Sequence, residues 1–120
     1  MAVMKDPAET AGTLIAASKV NGTSVYDRAG EKLGNVYDVM IDKRTGKTDY
    51  AIMNFGGFLG IGEQYHPLPW QSLTYDERYG GYVVDVDRSR LEGAPTYSMT
   101  DQDMWRDPAY GRRIDDYYGV

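Results

Sequence analysis

The only histidine of the chain, His66, stands in the run Glu63-Gln64-Tyr65-His66-Pro67. Imidazole changes charge near neutral pH and binds metals readily, so a barrel mouth near His66, Glu63 and Tyr65 is the first place to look for ligand or metal binding. Such a site needs more ligands than this. With no cysteine and no second histidine to complete a set, His66 reads as a structural or exposed side chain beside a proline bend. Two carboxylate pairs, Asp85 with Asp87 and Asp115 with Asp116, could hold a hard cation or share a proton. Their spacing does not reproduce a calcium loop, and they read as solvated charges. Ser18, Ser24, Ser72, Ser89 and Ser98 have no setting that would make one a nucleophile. No catalytic residue, metal ligand or cofactor follows, and the chain is expected not to be an enzyme.

The run Gly56-Gly57-Phe58-Leu59-Gly60-Ile61-Gly62 invites comparison with phosphate-binding loops. Those need a helix after the loop and usually a Lys-Ser/Thr pair, whereas here Pro67 and Pro69 follow. The glycines therefore read as a turn that shapes a sheet, one that cannot hide Phe58, Leu59 and Ile61 within itself. Two prolines one residue apart exclude a central strand and favour an extended edge that sets Trp70 at a fixed point.

The elements around this loop read as β structure. The chain's 120 residues suit one domain, and its 11 tyrosines against 2 Phe and 2 Trp, with 14 glycines, favour half-wet strands and many turns. Ser24-Val25-Tyr26 is a short strand that pairs across the Asp27–Glu31 turn with a long one, Lys32 to Asp42. In the long strand Val36 and Met40 share one parity and Leu33, Val39 and Ile41 the other, so a bulge near Asp38 must switch the inward side from Val36 to Val39 and Ile41. Thr48 to Phe55 completes a hairpin. Ser72–Tyr75 and Tyr82–Val86 follow, with Val84 and Val86 inward. Asp87–Gly93 forms one helical turn, and Thr100 with Asp103 opens a helix that Pro108 and Gly111 keep short.

Gly30-Glu31-Lys32-Leu33-Gly34-Asn35-Val36-Tyr37-Asp38, Ile41-Asp42, Thr45-Gly46-Lys47, the glycine loop, Pro69-Trp70 and Leu91-Glu92-Gly93-Ala94-Pro95 occur in an order and spacing that resembles a stand-alone PRC-barrel protein. The resemblance covers about Ser18 to Tyr97, and the tail is similar to that of bacterial single-domain members. It implies an all-β fold: a small antiparallel barrel of about six short strands with a short C-terminal helix and tail. Residues 1–17 would be a flexible arm, 18–97 the barrel and 98–120 the helix and tyrosine-rich tail. Related domains in the photosynthetic reaction centre H subunit and the ribosome maturation factor RimM dock on other proteins. This sequence shows neither the transmembrane helix of the first nor the extra barrel of the second.

The expected function is a non-enzymatic docking module, with Phe58, Leu59, Ile61, Trp70, Trp105, Tyr117 and Tyr118 as candidate contacts in a homodimer or with another protein. The alternatives are a small-ligand or metal-binding barrel and an accessory subunit of a membrane electron-transfer complex. A net charge of -5 argues against nucleic acid. The N-terminal apolar run is too short for export or membrane insertion, which gives a cytoplasmic expectation.

Overall fold

The computed structural model describes residues 13–55, 65–98 and 100–120. Its six strands are β1 (Ser24–Tyr26), β2 (Lys32–Ile41), β3 (Thr48–Asn54), β4 (Tyr65–Pro69), β5 (Leu73–Asp76) and β6 (Gly81–Val84). Helices α1 (Ala17–Val20), α2 (Arg88–Glu92) and α3 (Pro108–Tyr118) flank them. The sheet order is β4-β3-β2-β1-β6-β5, so β4 and β5 are its two ends. They are also consecutive in the chain, joined only by a 3-10 turn at Trp70–Ser72. A flat sheet cannot bring its opposite ends that close, so this one curls into a half-barrel.

The expectation of a purely antiparallel barrel is corrected at one seam: β1 pairs with β6 in parallel, Val25 opposite Tyr82 and Tyr26 opposite Val83. The remaining pairs are antiparallel. Following the directions around the sheet, β4 and β5 run the same way, so the Trp70–Ser72 turn bends the chain without reversing it. The Ser72 hydroxyl closes this bend by donating to the Pro69 carbonyl at 2.6 Å. Local alternation of side chains carries no information on strand direction, which is why the parallel pair was not foreseen.

The bulge of β2 falls where expected. Register skips Tyr37, with Val36 opposite Met53 and Asp38 opposite Ile52. Val36 is buried and Val39 packs against the core. A second slip between Met40 and Ile41 ends the inward parity, and Ile41 is 48% exposed, against the expectation that it faces inward. The β2–β3 turn is closed by the Asp42 carboxylate, which accepts from the Arg44 and Thr45 amides, and by Gly46 at φ 80°. A side chain at Gly34 would overlap the Asn54 carbonyl, so β2 and β3 can approach there only over glycine.

Val20, Val25, Leu33, Val36, Ala51, Met53, Phe55, Leu68, Tyr82, Val84 and Leu91 fill the concave side. Val86 packs partly against them, although β6 ends at Val84. Pro108 does not end a helix, as the sequence suggested, but begins one. Its missing N–H costs nothing in the first turn, and the Asp107 carboxylate caps the helix through the Ala109 amide. The short turn Gln102–Arg106 precedes it, and the stretch expected to be a tyrosine-rich tail is the body of α3.

Candidate functional site

In sequence the glycine-rich segment joins β3 to β4, so these two strands position its two ends. Phe58, Leu59, Ile61 and Glu63 lie outside the described residues. At the loop's base, Asn54 pairs with Tyr65 and Met53 with His66. The bulge turns Tyr37 onto the outer side of the sheet, where its ring meets the edge of the Tyr65 ring at 4.8 Å. Tyr37 stays 41% exposed. An aromatic pair thus stands at the start of β4, presented by the backbone irregularity that the mixed parity of β2 required.

β4 is an edge strand, as its prolines demand. Pro67 and Pro69 share the parity of Tyr65, whose carbonyl points away from β3 and accepts the Tyr97 amide at 2.8 Å. The two missing N–H groups therefore fall on the free edge, where they break no ladder bond. The strap Ala94–Ser98 runs along this edge and is tied on its other side by the Tyr110 hydroxyl, which donates to the Thr96 carbonyl at 2.8 Å.

On the concave side, His66 is 0% exposed. Its Nδ1 lies 3.0 Å from the Pro95 carbonyl, and its ring packs 5.1 Å from that of Phe55. Burial holds its pKa below the ordinary imidazole value, with the Pro95 and Ala94 carbonyls opposing that shift. The open mouth envisaged from Glu63, Tyr65 and His66 is not what the structure shows at His66: one ring nitrogen is committed to backbone and the ring has no solvent face. Among the described residues no three His, Cys, Asp or Glu side chains gather as a metal set.

The aromatic candidates are engaged within the one chain. Trp70 packs edge-on to Tyr82 at 5.4 Å, covering the bend between β4 and β5. Trp105 contacts Tyr110 at 4.8 Å, Tyr50 at 5.2 Å and Tyr97 at 6.1 Å. Tyr117 donates to the Arg90 carbonyl while the Arg90 guanidinium donates back to the Tyr117 carbonyl and lies over its ring. Tyr118 packs on the core, and burial raises its phenol pKa. Sequence reasoning missed Tyr50 and Tyr110, which hold α3 to the sheet. Tyr50 donates to Asp115 at 3.1 Å, and burial together with that carboxylate pushes its pKa up to about 12.

A shallow cleft of about 380 Å³ lies between Asp27, Arg28, Asp85, Asp87 and Arg90. Its charges are already used: Arg28 pairs with Asp85 at 3.3 Å and Asp87 caps α2 through the Arg90 amide. The exposed carboxylates thus serve helix and surface structure.

A curled, mostly antiparallel half-barrel with a proline-bearing edge strand and a helix packed behind it defines a small β-barrel class. The PRC-barrel domain model matches residues 12–91, and the chain belongs to the PRC-barrel family. The family is not a known enzyme family. The chain is also similar to an uncharacterized protein of Deinococcus radiodurans, 25% identical over 87 residues, covering 68% of this chain and 32% of that protein. It therefore spans about a third of the length of this relative. Among the described residues no helix is long and apolar enough to cross a membrane.

Proposed function

We propose that this chain is a non-enzymatic docking module of the cytoplasm whose glycine-loop tip, Phe58, Leu59 and Ile61, joins two copies into a homodimer. The observation that carries the reading is the Tyr37–Tyr65 pair at the end of β4 next to this segment, Tyr37 exposed and Tyr65 half-buried, which extends the segment's apolar sequence onto the sheet. Charge favours the same place. Each copy carries a net charge of -5, so two copies repel over most of their surfaces, whereas Phe55 to Gly62 contains no charged residue. Trp70, Trp105, Tyr117 and Tyr118 support the contact from behind by fixing β4, the strap and α3.

Apolar burial of about 25 cal/mol per Å² would drive association, reduced by the costs of immobilising both copies. Replacing Phe58 and Leu59 together by Ser is expected to turn a dimer into a monomer in sedimentation equilibrium while circular dichroism stays that of the parent. A parent that sediments as a monomer, or a double variant with unchanged mass, ends this reading.

A further inference from the structure

The asparagines of the chain are Asn21, Asn35 and Asn54, followed by Gly22, Val36 and Phe55. Only Gly22 offers the preceding asparagine a backbone nitrogen with no side chain beside it to hinder an attack. Asn35 and Asn54 lie within β2 and β3, whereas Asn21 is exposed in the turn that leads from α1 to β1. We propose that Asn21 is a self-modification site, converted to aspartate and isoaspartate by its neighbour Gly22, and that the hydrogen bond from Gly22 to Val36 sets the rate.

The reaction needs only water. The Gly22 amide gives its proton to solvent and its nitrogen bonds to Asn21 Cγ, expelling Nδ2 as ammonia and leaving a five-membered succinimide. Water then opens the ring. Addition at Cγ breaks the new carbon–nitrogen bond and leaves aspartate, while addition at the main-chain carbonyl breaks the original peptide bond and leaves isoaspartate. Either way the chain takes up a water and releases an ammonia.

The fold opposes the first step twice. The turn is type II: Asn21 has φ -63° and ψ 130°, Gly22 has φ 89°, and the Thr23 amide donates to the Val20 carbonyl at 3.1 Å. Ring closure requires the Gly22 nitrogen nearly to eclipse Asn21 Cβ about the Cα–C bond, and this ψ holds the two far from that arrangement. The same geometry aims the Gly22 N–H at β2, where it donates to the Val36 carbonyl at 2.7 Å, and the Val36 amide donates in return to the Thr23 carbonyl at 2.9 Å. The proton that must leave is thus held, and the torsion that must change cannot do so without breaking this bond. Opening the Gly22–Val36 pair releases both locks together.

The position gives the product a consequence. Val20 is in the core, and the Thr23 hydroxyl donates to the Lys19 carbonyl at 2.8 Å, so this turn fastens α1 to the sheet. Aspartate keeps the backbone and adds a negative charge. Isoaspartate adds a carbon to the main chain within the turn and moves Gly22 off the Val36 carbonyl. The joint between α1 and β2 then loosens, and the modified fraction records how often that joint has opened.

The test follows amide-to-acid conversion by mass-spectrometric peptide mapping of the full chain near neutral pH, folded and in urea, with amide exchange at Gly22 N–H measured on the folded sample and corrected for intrinsic exchange. In urea Asn21 is expected to convert ahead of Asn35 and Asn54. In the folded chain its conversion is expected to be more than about tenfold slower, by a factor that matches the exchange protection of Gly22 within about threefold, because both report the same opening. The isoaspartate fraction should show lost protection at Val36 N–H, and Asn21→Ser should yield no isoaspartate at this position. Equal rates in the folded and unfolded chain overturn the gate, as does a slowing that departs from the Gly22 protection. Conversion at Asn35 or Asn54 as fast as at Asn21 in urea overturns the site itself, and unchanged Val36 protection in the isoaspartate fraction overturns the loosening.

Discussion

The two halves of the sheet differ in what covers their outer sides. Behind β3 and β4 lies α3, and both faces of β3 are dry: Ala51, Ile52 and Met53 are buried in succession. Among the described residues no such helix lies behind β5 and β6, and burial alternates or fails, with Tyr82 and Val84 buried, Val83 intermediate, and Thr74 and Tyr75 exposed. One half is thus a three-layer structure and the other a two-layer one. The difference teaches that the last segment of the chain is part of the core of the first half. It also accounts for where the aromatic residues of that segment go: Trp105 and Tyr110 close over Tyr50, and Ile114 is fully buried.

Equivalent truncations should separate the halves most sharply. Ile52→Ala removes a side chain dry on the helix-covered side and is expected to cost about 2 to 5 kcal/mol. Val83→Ala removes one that is already half in water and should cost below about 1 kcal/mol. Urea unfolding of the two variants measures both, and equal losses would erase the distinction between the halves.

Ile114→Ala asks whether the helix belongs to the same cooperative unit. A loss of about 2 to 4 kcal/mol from the single urea transition is expected, because Ile114 is the fully buried anchor of α3. If α3 instead peels off as a separate low-denaturant phase while the main transition stays in place, the three-layer description fails.

The same contrast explains which parts of the molecule were legible in the sequence. In the two-layer half, alternation in Tyr82-Val83-Val84 and the turn before it were enough to place a strand and its inward side. In β2, the conflict of parity between Val36 and Val39 led to the bulge, because two residues on opposite parity can share one core only if an extra residue intervenes. Pro67 and Pro69 gave an edge strand for a chemical reason, the missing donors. The three-layer half was read less well. Ala51-Ile52-Met53 says that a strand is covered on both sides but not by what, and Pro108 looked like a stop because its role as the first residue of a helix depends on Asp107 turning back to cap it.

The parallel seam was hidden for another reason: it is set by the non-reversing bend at Trp70–Ser72, a property of the whole path of the chain. The docking residues were chosen by hydrophobicity, which cannot distinguish a side chain that meets a second copy from one that meets its own fold. The burial of His66 was also out of reach, since the strap that covers it lies about thirty residues further on.

A smaller effect than that of Ile114→Ala is expected where one hydroxyl joins the helix to β3. Tyr50→Phe keeps the ring against Trp105 and deletes only the hydroxyl that donates to Asp115. A net loss of about 0.5 to 1.5 kcal/mol at pH 7 is expected in urea unfolding. Its pH dependence makes the assignment specific. The folded-state pKa of Tyr50 is raised to about 12, so the contribution of the protonated phenol is fully present below about pH 10 and is lost as pH rises through about 12. The stability difference between parent and variant should therefore shrink over that alkaline window. A difference that stays constant there would place the effect in ring packing, and the covered half would then be held by apolar contact alone.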